Sequence, residues 1–290
     1  MTAETERTST VEVAGRTVRV ASLGTGEPVV ALHGLGGYLE EWAESQAALA
    51  EHFAVHAPDL PGFGLSAPLD HPDLPGIAHH VLAALDALGI AEPVHLVGNS
   101  LGGAIAMQVA VEAPRRVATA VLADSAGFGR QVNPGLRLLG VPGLGRALLR
   151  VPGERRARMQ LRAQFHDPAF ATEARIALKA AHSRRDGAAE AFLAVAHQLG
   201  SWRGVRHRWR QRLVREFAQL RIPTLLLWGT HDRILPATQL VAAARALPHA
   251  RTHLFPETGH MPHVERAAEF TALVREFITT HPQSVHIGAS

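Results

Sequence analysis

Short apolar runs recur along the chain, each closed by glycine, proline or an acidic residue. They read PVVALHG at 28–34, FAVHAPDLPGFGLS at 53–66, VHLVG at 94–98, VATAVLADSAG at 117–127, IPTLLLWGTHD at 222–232 and THLFPETGH at 252–260. Between them apolar residues return every three or four positions, as in EEWAESQAALAEH at 40–52, IAHHVLAALDALG at 77–89, the segment after Ser100, and stretches near 237–247 and 265–279. The first pattern predicts strands and the second amphipathic helices. Continuous apolar strands alternating with helices predict an α/β protein with a mostly parallel sheet of about eight strands, covered on both faces. At the start, TVEVAGRTVRVASLG at 10–24 alternates about Ala14-Gly15 and predicts a hairpin, with residues 1–8 expected to fray.

The alternation breaks once. Residues 128–221 offer helices near 154–165, 171–182, 188–199 and 205–219 but no clear strand, and the strand pattern resumes at 222. This segment also carries 19 Lys+Arg against 6 Asp+Glu, whereas the rest of the chain is net acidic. The reading is a catalytic core of residues 1–127 and 222–290, with 128–221 inserted as a helical cap over the C-terminal edge of the sheet. At 290 residues the chain is long enough for such a core with one appended subdomain.

Composition narrows the chemistry. Cysteine is absent, which excludes disulfides, thiolate metal sites and a cysteine nucleophile. A formal charge of +3 is too small to point to nucleic acid. No run is long enough to cross a bilayer, and the polar start lacks a signal-peptide core, so a cytoplasmic location is expected. The histidines are scattered without metal-ligand spacing, so neither metal nor cofactor is expected. A homodimer is compatible with the chain.

In open α/β sheets, ligands gather at the carboxyl ends of strands. His33, Asp59, Ser100, Asp124, Asp232 and His260 all fall at such ends. Gly98-Asn99-Ser100-Leu101-Gly102 fits G-x-S-x-G between a predicted strand and a predicted helix, the context of a sharp nucleophile turn. The glycines there leave room for the backbone to fold tightly, and Ser100 then stands at a helix N-terminus that favours developing negative charge. A serine nucleophile needs a base. His260, after the last strand, is favoured over its nearest rival His263, and His33 is expected to hydrogen-bond its own loop. The base needs an orienting carboxylate. Asp232 keeps the chain order Ser, Asp, His, with Asp124 as the alternative acid. The backbone N–H groups of Leu35 and Leu101 are the expected oxyanion donors.

Together, LHGLGG, PDLPGFGLS, GNSLGG, PTLLLWGTHDRILP and GHMPHVE resemble the α/β-hydrolase superfamily, on both flanks of the insert and in the expected order. The resemblance implies that fold, a serine nucleophile, no cofactor, a small-molecule substrate, and a cap whose helices shape the pocket. Epoxide hydrolases and haloalkane dehalogenases differ by an aspartate in place of Ser100. The GNSxGG elbow is similar to that of the meta-cleavage-product C–C hydrolases. Their cap motif is approximated by Thr172, Glu173 and Lys179, which implies pocket roles for Gly34, Asn99, Met261 and Lys179. The chain departs from that subfamily in lacking the proline of the HGxGPG loop, in Met261 where tryptophan follows the histidine, and in lysine for arginine. Hydrolysis of a carboxylic ester, thioester or lactone therefore ranks first and C–C hydrolysis of a vinylogous diketo acid second. A ligand receptor or a lyase on the same fold remains a further alternative. The arginine-rich cap admits either an anionic substrate or arginines facing water, and Leu136, Leu138, Leu139, Val141, Leu144, Leu148 and Leu149 either pack its underside or line an apolar acyl pocket.

Overall fold

In the computed structural model, which describes residues 7–141, 143–149 and 153–281, the apolar runs become strands in the predicted order. The first part of the chain builds β1 (Arg7–Val13), β2 (Arg16–Leu23), β3 (Pro28–Leu32), α1 (Ala43–Leu49), β4 (Ala54–Pro58), α2 (Leu74–Ala87), β5 (Val94–Asn99), α3 (Leu101–Glu112) and β6 (Val117–Ala123). It then leaves the sheet through α4 (Pro134–Leu139), α5 (Leu144–Leu149), α6 (Gly153–Gln164), α7 (Glu173–Ser183), α8 (Ala188–Leu199), the short strands β7 (Gly200–Ser201) and β8 (Gly204–Val205), and α9 (His207–Leu220). It closes with β9 (Thr224–Gly229), α10 (Thr238–Ala246), β10 (Arg251–Phe255), α11 (Pro262–Glu265) and α12 (Ala267–Thr279).

The eight-stranded sheet has the order β1-β2-β4-β3-β5-β6-β9-β10, antiparallel from β1 through β4 and parallel from there on. Register lines up Leu32, Gly98, Leu122 and Leu226 on adjacent strands, so the loops that follow β3, β5, β6 and β9 open along one edge. β3, β5 and β9 are buried along their whole length, as runs sandwiched between two helical layers must be. One layer centres on α2, α3 and α9 and the other on α1 and α12. α3 is apolar on all sides and buried from Leu101 through Ala110, because α2, α9 and the sheet surround it. Burying each of its larger side chains, such as Ile105 or Met107, contributes about 2 kcal/mol. The helix that begins at the candidate nucleophile is therefore part of the core.

Four local expectations change. Arg7 and Thr8 pair with Ser22 and Ala21 in the first hairpin and do not fray, while residues 1–6 lie outside the described part. The segment read as strandless holds a two-rung antiparallel hairpin, β7 with β8. The single last helix is broken at Arg266, whose backbone is not helical, into α11 and α12. The boundary at 221 also moves: Leu213 and Phe217 of α9 join the core cluster that includes Leu226 and Trp228, so α9 is a crossover helix of the sheet. Val195 of α8 joins the same cluster, whereas α6 and α7 contribute Ala157, Leu161, Ile176 and Ala180 to a separate one with Met261 and Val264.

Candidate active site

The chain reverses sharply from β5 into α3 at Ser100, whose φ of 57° and ψ of −115° are strained for a residue other than glycine. The turn is held by Ser100 N–H donating to the Ala123 carbonyl at 3.0 Å and by the Ser100 carbonyl accepting from Ala126 N–H at 3.0 Å. It closes only because its neighbours lack side chains. A Cβ on Gly98 would overlap the backbone of Gly102, one on Gly102 would overlap the Leu32 carbonyl of β3, and one on Gly103 would strike Ser125.

His260, in the loop after β10, turns Nδ1 to Oδ2 of Asp232 at 2.7 Å, and both side chains are almost fully buried. Oδ1 of Asp232 accepts from Ile234 N–H at 2.7 Å and Leu235 N–H at 2.9 Å. The carboxylate is thus aimed by its own loop, whose Leu235 carbonyl is in turn held by Trp228 Nε1 at 2.9 Å. With Nδ1 carrying the proton shared with Asp232, Nε2 is left as the acceptor a general base requires. Ser100 and His260 line the same cavity.

Asn99 has a role that sequence reasoning did not reach. Its Nδ2 donates to the His260 carbonyl at 2.9 Å and to the Ala123 carbonyl at 3.3 Å, tying the elbow to the histidine loop and to β6. From above, the Gln164 carbonyl at the end of α6 accepts from His260 N–H at 2.6 Å. Glu265 completes the bracing: Oε1 accepts from Gly259 N–H at 2.7 Å, and Oε2 from His166 N–H at 2.8 Å and Asp167 N–H at 3.1 Å. One carboxylate thereby joins the histidine loop to the insert. The motif GHMPHVE contains Glu265, but its partners at 166 and 167 are too remote in sequence to be read from it.

The rivals separate cleanly. His263 is buried against Trp42, with ring centroids 4.1 Å apart, and neither ring nitrogen has a hydrogen-bond partner. Burial pushes its pKa down to about 3, so it is a neutral packing group. Asp124 offers Oδ1 to Gly229 N–H at 2.9 Å and makes no bond to His260. His33 accepts from Leu60 N–H on Nε2 at 2.9 Å and donates from Nδ1 to the Gly34 carbonyl at 2.8 Å, holding the loop it begins. Asp59, also at a strand end, is absorbed by the N–H groups of Leu39 and Leu65 and by Arg19. Among the described residues, one cluster, Asp124, Asp232 and His260, has the spacing of a metal site. Its imidazole Nδ1 is engaged by Asp232 at 2.7 Å, so Nε2 is the ring nitrogen that keeps a lone pair.

A cavity of about 390 Å³ opens over Ser100, and Gly34, Leu35, Asn99, His260 and Lys179 share its wall. The insert supplies the facing wall, largely apolar, from Leu136, Leu138, Leu139, Leu148, Leu149 and Met159. A smaller chamber of about 90 Å³ also reaches Ser100, beside Leu35 and Leu101. Leu101 is the first residue of α3, where an N–H has no intrahelical partner. Two of the pocket residues implied by resemblance stand differently. Met261 is outside the wall, packed with Leu161, Phe165 and Ile176 between the histidine loop and the insert. Lys179 reaches the wall, but its Nζ is shared between the Gly36 carbonyl at 3.2 Å and Glu41 at 3.3 Å, so its charge is balanced from within.

No helix among the described residues is long and apolar enough to cross a membrane. The alpha/beta hydrolase fold family matches residues 27–267. The dihydrolipoyllysine-residue acetyltransferase component of the acetoin cleaving system of Pseudomonas putida is 36% identical over 273 residues, which cover 93% of this chain and 69% of that protein. The 2-hydroxymuconate semialdehyde hydrolase of Pseudomonas sp. (strain CF600) is 32% identical over 273 residues, 91% of each chain. Among solved structures, a meta-cleavage product hydrolase from Pseudomonas fluorescens IP01 superposes with a TM-score of 0.81 at 26% identity, over 94% of this chain and 98% of that one. An eight-stranded, mostly parallel sheet, a serine at its strained strand-to-helix turn and a match over most of the length lead to one conclusion: the chain belongs to the alpha/beta hydrolase family and is a hydrolase.

Proposed function

We propose that the protein is a serine hydrolase that cleaves a carboxylic ester, thioester or lactone with an apolar acyl group, through an acyl-enzyme on Ser100. His260 takes the Ser100 proton as the hydroxyl attacks the carbonyl, and Asp232 steadies the imidazolium. The N–H groups of Leu35 and Leu101 receive the oxyanion, each contributing a few kcal/mol, on the order of 3, to the lowering of the barrier. His260 then protonates the leaving group and activates water for deacylation. Helices α4 through α8 serve as the cap that encloses the acyl chain.

The observation that carries this reading is the wall over Ser100: leucines and a methionine face the nucleophile, and the nearby lysine is already neutralised by Glu41. Such a wall suits an uncharged acyl group. Hydrolysis of a C–C bond in a vinylogous diketo acid is the second reading, favoured by the meta-cleavage relative and by Arg156, a cationic side chain in the same wall. A fluorophosphonate probe and a panel of p-nitrophenyl esters, applied to wild type and Ser100→Ala, decide between them. The ester reading expects rapid labelling and turnover in wild type, with kcat reduced by about 10⁶ in Ser100→Ala. Turnover of a vinylogous diketo acid above every ester would replace it with the second reading, and labelling without ester turnover would point to a receptor.

A further inference from the structure

Asp124 is a buried carboxyl group that the proposed mechanism does not use. It follows the last residue of β6, in a left-handed backbone conformation with φ 45°, and its N–H continues the sheet by donating to the Leu227 carbonyl at 2.9 Å. Oδ1 accepts from Gly229 N–H, while Oδ2 is buried with no hydrogen-bond partner among the described residues. A ligand atom of Asp124, one of Asp232 and one of His260 all lie within 4.8 Å of one another. Asp232 receives three donors, from Ile234, Leu235 and His260, whereas Asp124 receives one. Among the described residues neither carboxyl is paired with arginine or lysine.

Two adjacent buried carboxyl groups without a lysine or arginine partner hold one charge and one proton. The charge belongs on the member with more donors, which is Asp232. The proton then belongs on Asp124, and placing it on Oδ2 converts an orphaned acceptor into a donor directed at Asp232. We propose that Asp124 is a neutral carboxylic acid that donates a hydrogen bond to the Asp232 carboxylate, a positioning residue that limits how strongly Asp232 holds a proton on His260. Burial first, and the neighbouring Asp232 charge second, push the Asp124 carboxyl well above the usual carboxylate range, in agreement with this arrangement.

A donor on Asp232 spreads its negative charge, so the imidazolium of His260 is stabilised less than by Asp232 alone. The other titratable groups around the pair are Glu265, which adds repulsion at Asp124, and His263, which stands beside His260 and is held neutral by burial.

The inference rests on Ser100, His260 and Asp232 acting as proposed, and its test reads the acids and the imidazole directly. The measurements are the infrared carbonyl band of a protonated carboxyl group at pH 7 and the ¹H–¹⁵N titration of the His260 imidazole, on the whole protein. Wild type is expected to show a band that Asp124→Asn lacks. Asp124→Asn keeps a donor toward Asp232 and an acceptor for Gly229, and its His260 titration is expected to stay close to that of wild type. Asp124→Ala removes the donor and should raise the His260 pKa by about one unit, which is about a tenfold loss of free base below it. The same displacement should appear in the acid limb of fluorophosphonate labelling. Absence of the band, or a His260 pKa lowered by about one unit in Asp124→Asn, would mean that an ionised carboxylate had been removed, and would overturn the proposal. Failure of wild type to label at all would instead defeat the Ser100 reading, while the band and the imidazole titration still decide the state of Asp124.

Discussion

Two walls face each other across the cavity, and they are built by different forces. On the sheet side the groups are fixed by directional bonds and close backbone contacts: Asn99 grips the His260 carbonyl, Asp232 accepts three hydrogen bonds, and the elbow admits no methyl group at Gly98, Gly102 or Gly103. On the insert side the wall is leucine and methionine held by non-directional apolar contact, with Leu138 45% and Met159 62% exposed. Reaction geometry tolerates displacements of only a fraction of an ångström, whereas an apolar wall needs only suitable volume. The contrast therefore separates what sets the chemistry from what sets the substrate's shape.

The largest effect that would break this contrast is on the sheet side. Gly102→Ala should destabilise the protein by about 3 kcal/mol, measured by urea unfolding, because the added Cβ meets the Leu32 carbonyl of a central strand and neither backbone can give way. An unchanged unfolding midpoint would show the elbow to be looser than described. Next comes Glu265→Gln, which turns an amide NH₂ toward N–H groups that now share a carboxylate. Its kcat should fall between about tenfold and a hundredfold with KM changed much less, since the loss is in the placement of His260.

His263 sharpens the comparison through pH. Its folded pKa lies near 3 against 6.5 for the free side chain, so the unfolded chain takes up a proton first as the solution is acidified. Stability conferred by the neutral ring is whole above pH 6.5 and declines, by up to about 1.4 kcal/mol per pH unit, as pH falls toward 3. His263→Phe keeps the stack on Trp42 without the proton, and unfolding followed from pH 7 to pH 4 should show a shallower decline. The smallest effect belongs to the opposite wall. Met159→Gln should alter KM for long-chain esters by less than about threefold and leave kcat in place, because the side chain is mostly exposed already. A large loss of kcat there would mean that the insert takes part in the chemistry.

The sequence makes the periodic part of this molecule readable. The buried parallel strands announce themselves as apolar runs, and Ser100, Asp232 and His260 stand where those runs stop. What escaped it depends on contacts between distant segments. The joining of Glu265 to 166 and 167, the grip of Asn99 on His260 and the balancing of Lys179 by Glu41 bring together residues about 100, 161 and 138 positions apart, and no local pattern records such meetings. Composition groups α9 with the insert, since its arginines match that segment, yet its buried Leu213 and Phe217 pack in the cluster that holds Leu226 and Trp228 of the sheet. Met261 follows the candidate base by one residue but points into the packing beneath α6 and α7, since neighbours along a loop need not share a face.

The crowding at the elbow also bears on redesign. Random substitution at Gly98, Gly102 or Gly103 would mostly yield unfolded chains, so a library placed there would consist largely of failures whatever activity was sought. Leu136, Leu148 and Met159 line the same cavity without any part in the hydrogen bonds that brace Ser100, Asp232 and His260. Variation at those positions can change which molecule fits while the reacting atoms keep their places, so the molecule already separates what an engineer would vary from what must be left alone.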